Sequence, residues 1–162
     1  MAPVRRNRVW ARTSHIMTNM ATGVVNVEDL LSDFRADMGI TKNLPGTTIG
    51  AIKGRLTWCP DSIPVAGSPD SLLWGIRVGA DVDDALDLDP AFLHQDWMLY
   101  DRVAWTNNGN VGMPQHIGEV ELNGRAMRKL DEIGQTLWLS AIFSGSGTLD
   151  LFVSTSVLLI LP

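Results

Sequence analysis

Apolar and polar positions alternate along much of this chain with a period of two. In TTIGAIKGRLTW (47–58), Ile52, Gly54, Leu56 and Trp58 share one phase, and Lys53, Arg55 and Thr57 take the other. Such alternation marks a strand with one face toward a core. Comparable signals predict strands in LLWGIRVGA (72–80), DWMLYDRVAW (96–105), HIGEVELNGRAMRKL (116–130), QTLWLSAIF (135–143) and TLDLFVSTSVLLILP (148–162). The Thr-rich, β-branched segment 9–25 reads as a strand or an extended segment. RAMRKLDEI also scores as a short helix, and strand is preferred there because DEIG makes a good turn between strong strands. In the last strand Val153, Val157, Leu159 and Leu161 lie in one phase, with Leu158 and Ile160 in the other. Both faces therefore need cover, and the segment belongs to the core.

One segment breaks the pattern. After Asn26, a good N-cap residue, Val27, Leu30, Leu31, Phe34 and Met38 fall on one face of a 3.6-residue period, and Gly39 is a good stop. This predicts a helix over 27–38. Turn-forming residues dominate 59–71 and 106–115, and DVDDALDLDPAFLHQ (81–95) reads as an acidic loop with one helical turn after Pro90. The short SGSG (144–147) predicts a hairpin between the last two strands. Seven or eight strands joined by long loops make an all-β protein, an antiparallel β-sandwich of jelly-roll type with one short helix near the N-terminus.

Composition supports one domain. At 162 residues and 45% apolar, the chain can bury a core. Charge is divided unevenly. MAPVRRNRVWAR holds Arg5, Arg6, Arg8 and Arg12 and no acid, while the remaining residues carry 9 Lys and Arg against 18 Asp and Glu. Residues 1–8 read as a flexible basic arm before a jelly-roll domain at 9–162. The arm suits a polyanion, and the acidic body does not. The lone cysteine, Cys59, excludes an intrachain disulfide and a cysteine-based zinc site. Neither a transmembrane run nor a signal peptide is read, so a membrane partner is not expected.

With this layout in view, the chain resembles the single jelly-roll coat proteins of small icosahedral viruses. The resemblance rests on RRNRVWAR, on the following strand and VEDLLSDFRADMG, on RKLDEIGQTLWLSAI as paired late strands, and on STSVLLIL as a closing core strand. Many such coats carry longer and denser basic arms. The resemblance implies self-assembly into a homo-oligomeric icosahedral shell around a genome, in a virion made in the host cytoplasm. Arg5, Arg6, Arg8 and Arg12 would then face nucleic acid or clasp neighbours. About sixty arms would supply roughly 240 positive charges against about one negative charge per nucleotide. That attaches a genome of about a thousand nucleotides locally without condensing it.

No catalytic motif competes. His15, His94 and His116 are scattered, and neither a nucleophile elbow nor a phosphate loop occurs, so no enzyme is expected. Asp81, Asp83, Asp84, Asp87 and Asp89 crowd one loop, which reads as a solvated acidic surface or as a calcium site at a subunit interface; no other cofactor is expected. Six tryptophans are many for one sandwich core, which points to Trp10 and Trp58 at subunit contacts. The alternative from another class is a phage head-decoration or receptor-binding module, or a lectin-like domain.

Overall fold

The computed structural model describes residues 7–61, 65–80, 97–107, 118–125 and 127–162. Its strands are β1 (Arg8–Ala21), β2 (Val25–Asp29), β3 (Thr48–Pro60), β4 (Pro69–Gly79), β5 (Trp97–Thr106), β6 (Gly118–Gly124), β7 (Arg128–Lys129), β8 (Thr136–Ser144) and β9 (Thr148–Ile160). The single helix described, α1, spans Ser32–Asp37. One sheet has the order β1-β9-β3-β6, with the short β7 also on β3; the other has the order β2-β8-β4-β5.

This order is a jelly roll. The eight long strands pair from the outside inward, β1 with β9, β2 with β8, β3 with β6 and β4 with β5. The strand pairing thus follows the pattern of one long hairpin whose innermost pair is β4 and β5. Rolling it up adds the β3–β9 and β4–β8 ladders and leaves two four-strand layers face to face. The all-β jelly-roll expectation holds, and every predicted strand overlaps an observed one.

Alternation builds the core between the layers. Leu149, Leu151, Val153, Val157 and Leu159 of β9 and Ile49, Ile52, Leu56 and Trp58 of β3 face Leu137, Leu139, Ala141 and Phe143 of β8 and Leu72, Trp74 and Ile76 of β4; all are buried. The phases assigned to Val153, Val157 and Leu159 are therefore correct. On the opposite phase Leu158 is half-buried, between Trp10 and Ala51 in register, and Ile160 is nearly covered.

Two local expectations are overturned. Residues 27–29 are strand, not the start of a helix, because the backbone of Val25–Asp29 pairs with residues 138–142 of β8. The long-range ladder outcompetes the local helical pattern. Leu30 and Leu31 are fully buried at the corner, α1 keeps only six residues, and Met38 stays exposed. Gly39 does stop the helix, at φ 66° with its N–H on the carbonyl of Ala36. The Gly/Ser turn is likewise not a hairpin. Strands β8 and β9 lie in different sheets, so the turn crosses the sandwich. The buried core residues of β8 and β9 cover each other from opposite layers. The crossing is held by Ser146 N–H on Asp70 and Gly145 N–H on Thr22 Oγ1, both at 3.0 Å. Asp70 is buried and also accepts from Asn107 Nδ2 at 2.6 Å.

Candidate nucleic-acid and subunit-contact surface

Strand β1 begins within the basic segment, at Arg8. Asn7 already accepts a bond from Leu161 N–H, and Arg8 pairs with Ile160, so the segment assigned to the arm joins the sheet at its last residues. Alternation then sorts β1. Ala11, Thr13 and Met17 are buried against the core, while Arg8, Trp10, Arg12, Ser14 and Ile16 stand exposed on the outer face. The ladder extends these positions into rows. Arg12 lies opposite Ser156, which lies opposite Lys53; Ser14 lies opposite Ser154 and then Arg55; Ile16 lies opposite Phe152 and then Thr57. Lys53 reaches back over the Trp10 ring, its ammonium 5.9 Å from the centroid. Arg55 pairs with Glu119 of β6 at 3.3 Å. Arg8, Arg12 and Lys53 have no ion-pair partner among the described residues.

The inner side of β1 is tied down by polar side chains from β2 and α1. Thr13 Oγ1 donates to Asp33 at 2.6 Å and lies 2.6 Å from His15 Nε2. With its one proton given to Asp33, the Thr13 hydroxyl accepts from the imidazole. His15 Nδ1 lies 3.5 Å from Glu28. Beside this chain Asp29 collects the Leu31 N–H at 2.9 Å, the Thr136 hydroxyl at 2.7 Å and the Arg35 guanidinium through both nitrogens. Arg35 also donates to Thr136 at 3.0 Å. These contacts fasten the short helix to β2 and β8 and hold the sheet edge in place. Arg35→Ala should therefore cost about 2 kcal/mol, since it strands a half-buried carboxylate. Arg35→Lys should recover only part, because it loses the two-pronged fit. Urea midpoints of the two variants would check this; equal midpoints for both and the parent would remove the network from the stability argument.

Several predicted site residues lie outside the described residues: Arg5, Arg6 and the whole acidic set Asp81, Asp83, Asp84, Asp87 and Asp89. Among the described residues no group of three His, Cys, Asp or Glu side chains is placed to hold a metal, and no helix is long and apolar enough to cross a membrane. Trp10 is 45% exposed and open to a partner. Trp58 is not, and the subunit-contact reading is corrected there. It is 3% exposed, and its ring lies 5.9 Å from that of Trp105, which in turn stacks on Phe143 at 6.4 Å. The sandwich takes these large rings because they stack on one another across the layers.

Lys53 escaped sequence reasoning because its closeness to Trp10 depends on which strands are neighbours. A small cleft of about 230 Å³ elsewhere is lined by Arg77, Val78, Arg128, Lys129, Asp131 and Gln135. Lys129 and Asp131 neutralise each other there at 2.9 Å. Burial pushes the Cys59 thiol above its ordinary range, and the carboxylates of Asp150 and Asp61 push the same way. The thiolate is the reactive form, so Cys59 should alkylate more slowly than a free cysteine at pH 8 and catch up only at higher pH. Timed mass spectrometry with iodoacetamide checks this, and a rate equal to that of glutathione would contradict it.

No family model and no curated protein sequence matches the chain. Among solved structures it is similar over its whole length to a chain of desmodium yellow mottle tymovirus, covering 93% of that chain at 13% identity and a TM-score of 0.42. It is similar over its whole length to a chain of turnip yellow mosaic virus, covering 85% of it at 11% identity and a TM-score of 0.46. A chain of tobacco necrosis virus is similar over 98% of this chain and 84% of its own length, at 13% identity and a TM-score of 0.41. The jelly-roll assignment rests on the strand order.

Proposed function

We propose that this protein is a viral coat protein, a jelly-roll subunit that self-assembles into an icosahedral shell and presents its arginine-bearing N-terminal segment to nucleic acid. A fold alone does not carry a function. What supports the reading is one juxtaposition. An N-terminal segment with four arginines and no acid runs directly into an edge strand of a jelly roll, and the last two of those arginines, Arg8 and Arg12, are fixed on one exposed sheet face. This couples a rigid two-layer building block to a polyanion-binding segment within an otherwise acidic chain.

Negative-stain microscopy of the purified protein tests it. Uniform closed particles are the expected result. A discrete monomer, dimer or trimer with no particles would overturn the coat reading and favour a decoration or receptor-binding module. The same particles test the acidic segment. If Asp81, Asp83, Asp84, Asp87 and Asp89 hold calcium between subunits, a chelator at neutral pH should swell or dissociate the shell. Lowering the pH should partly restore it by protonating the carboxylates. Particles indifferent to both treatments leave that segment as a solvated surface.

A further inference from the structure

We infer that the outer face of the β1-β9-β3-β6 sheet is a platform for single-stranded nucleic acid, on which Trp10 stacks against a base while Arg8, Arg12 and Lys53 hold neighbouring phosphates. This deepens the proposed function and rests on its polyanion-binding half, not on shell formation. Arg8, Trp10 and Arg12 follow one another on the same face, about 7 Å apart along the strand. Lys53 sits in the Arg12 row two strands over, about 10 Å away at the backbone. The three cations are exposed and without an ion-pair partner among the described residues, whereas Arg55, further across, is matched by Glu119. Between Arg12 and Lys53 lies the small Ser156, and in the row on the Arg8 side half-buried Leu158 lies beside Trp10.

The indole separates this face from a plain patch of charge. An exposed tryptophan flanked by arginines and carrying an ammonium over its ring offers both a stacking surface and the adjacent charge that an unpaired strand requires. A base arriving on the ring displaces the Lys53 ammonium, which then meets the neighbouring phosphate. A duplex hides its bases and gains only the charge. A second copy of the chain would meet the cations with the acid of its body, and the particle readout below separates that occupant from nucleic acid. Six tryptophans make intrinsic fluorescence a poor reporter, so the binding is read on a labelled probe.

The experiment measures fluorescence anisotropy of labelled oligo-dT of about 30 nucleotides, ample for one site, against the full chain and its W10A, W10F, R8A, R12A and K53A variants. A duplex of the same length and polyglutamate serve as competitors. Thermal melts confirm that these surface variants stay folded, and microscopy of the same samples records particles. Trp10→Ala should weaken oligo-dT binding roughly 10-fold, with Trp10→Phe close to the parent. Each cation removed should lower the slope of log affinity against log salt by about 0.7. A W10A variant that binds like the parent, or a duplex and polyglutamate that compete as well as oligo-dT, would overturn the inference and leave the coat reading standing. Loss of particles in W10A with unchanged oligo-dT binding would assign the face to contact between copies. A parent chain that binds no oligo-dT would sink both this inference and the polyanion half of the proposed function, and particle formation would then stand alone.

Discussion

Removing residues 157–162 should abolish folding. The segment forms the end of β9, which is an interior strand with β1 on one side and β3 on the other. Val157, Leu158, Leu159 and Ile160 pair with Ala11, Trp10, Val9 and Arg8 on β1, and with Ile52, Ala51, Ile49 and Thr48 on β3. Val157 and Leu159 are fully buried and Ile160 is 9% exposed. Burying each such side chain stabilises a fold by roughly 1.5–3 kcal/mol, against a typical net stability of about 5–15 kcal/mol for a domain. The loss would also leave the start of β1 without a ladder partner and the start of β3 paired on one side only, and strip cover from Ile49 and Ile52. Far-ultraviolet and near-ultraviolet circular dichroism with urea titration would read the outcome. A truncated chain that stays soluble and unfolds cooperatively would make this segment peripheral.

Replacing Gly54 by alanine should cost about 3 kcal/mol, the upper part of the range for overpacking. Gly54 lies in the middle of β3, opposite Thr155. A Cβ there would sit 2.1 Å from the carbonyl oxygen of Ser154 and 2.9 Å from the Cα of Thr155. Both are backbone atoms of the central strand and cannot rotate aside, so the β3–β9 ladder must spread where the sheet is most enclosed. Valine should be worse. Gly50 supplies the comparison on the same strand, because a Cβ there meets only side-chain atoms, the nearest being Leu158 Cδ2 at 3.3 Å. Gly50→Ala should cost well under 1 kcal/mol, since a terminal methyl shifts easily. Chemical denaturation of the two variants decides the matter; equal losses would refute the steric reading of Gly54.

How far the sequence determined this protein follows from how local each signal is. The patterns of 47–58, 135–143 and 148–162 located strands, and those of 47–58 and 148–162 also their phases, because pleating ties side-chain direction to position within a strand. Glycine after the helix and the charge of the first twelve residues were equally legible. What only the tertiary structure decided was which strand lies beside which. Residues 27–29 open a helical pattern yet join a sheet, because β8, more than a hundred residues on, supplies their ladder. The Gly/Ser turn looks like a hairpin yet bridges two sheets, because β8 and β9 cover each other from opposite layers. The same holds for the surface chemistry. Trp10 and Arg12 announced themselves, but Lys53 joined them only through β9, and Trp58 was drawn inside by Trp105 and Phe143 from other strands. The polar chain through Thr13, His15, Glu28 and Asp33 spans three elements and has no motif. A jelly roll pairs its first strand with its last, so the neighbours that define its faces are remote in sequence, and local pattern carries no information about them.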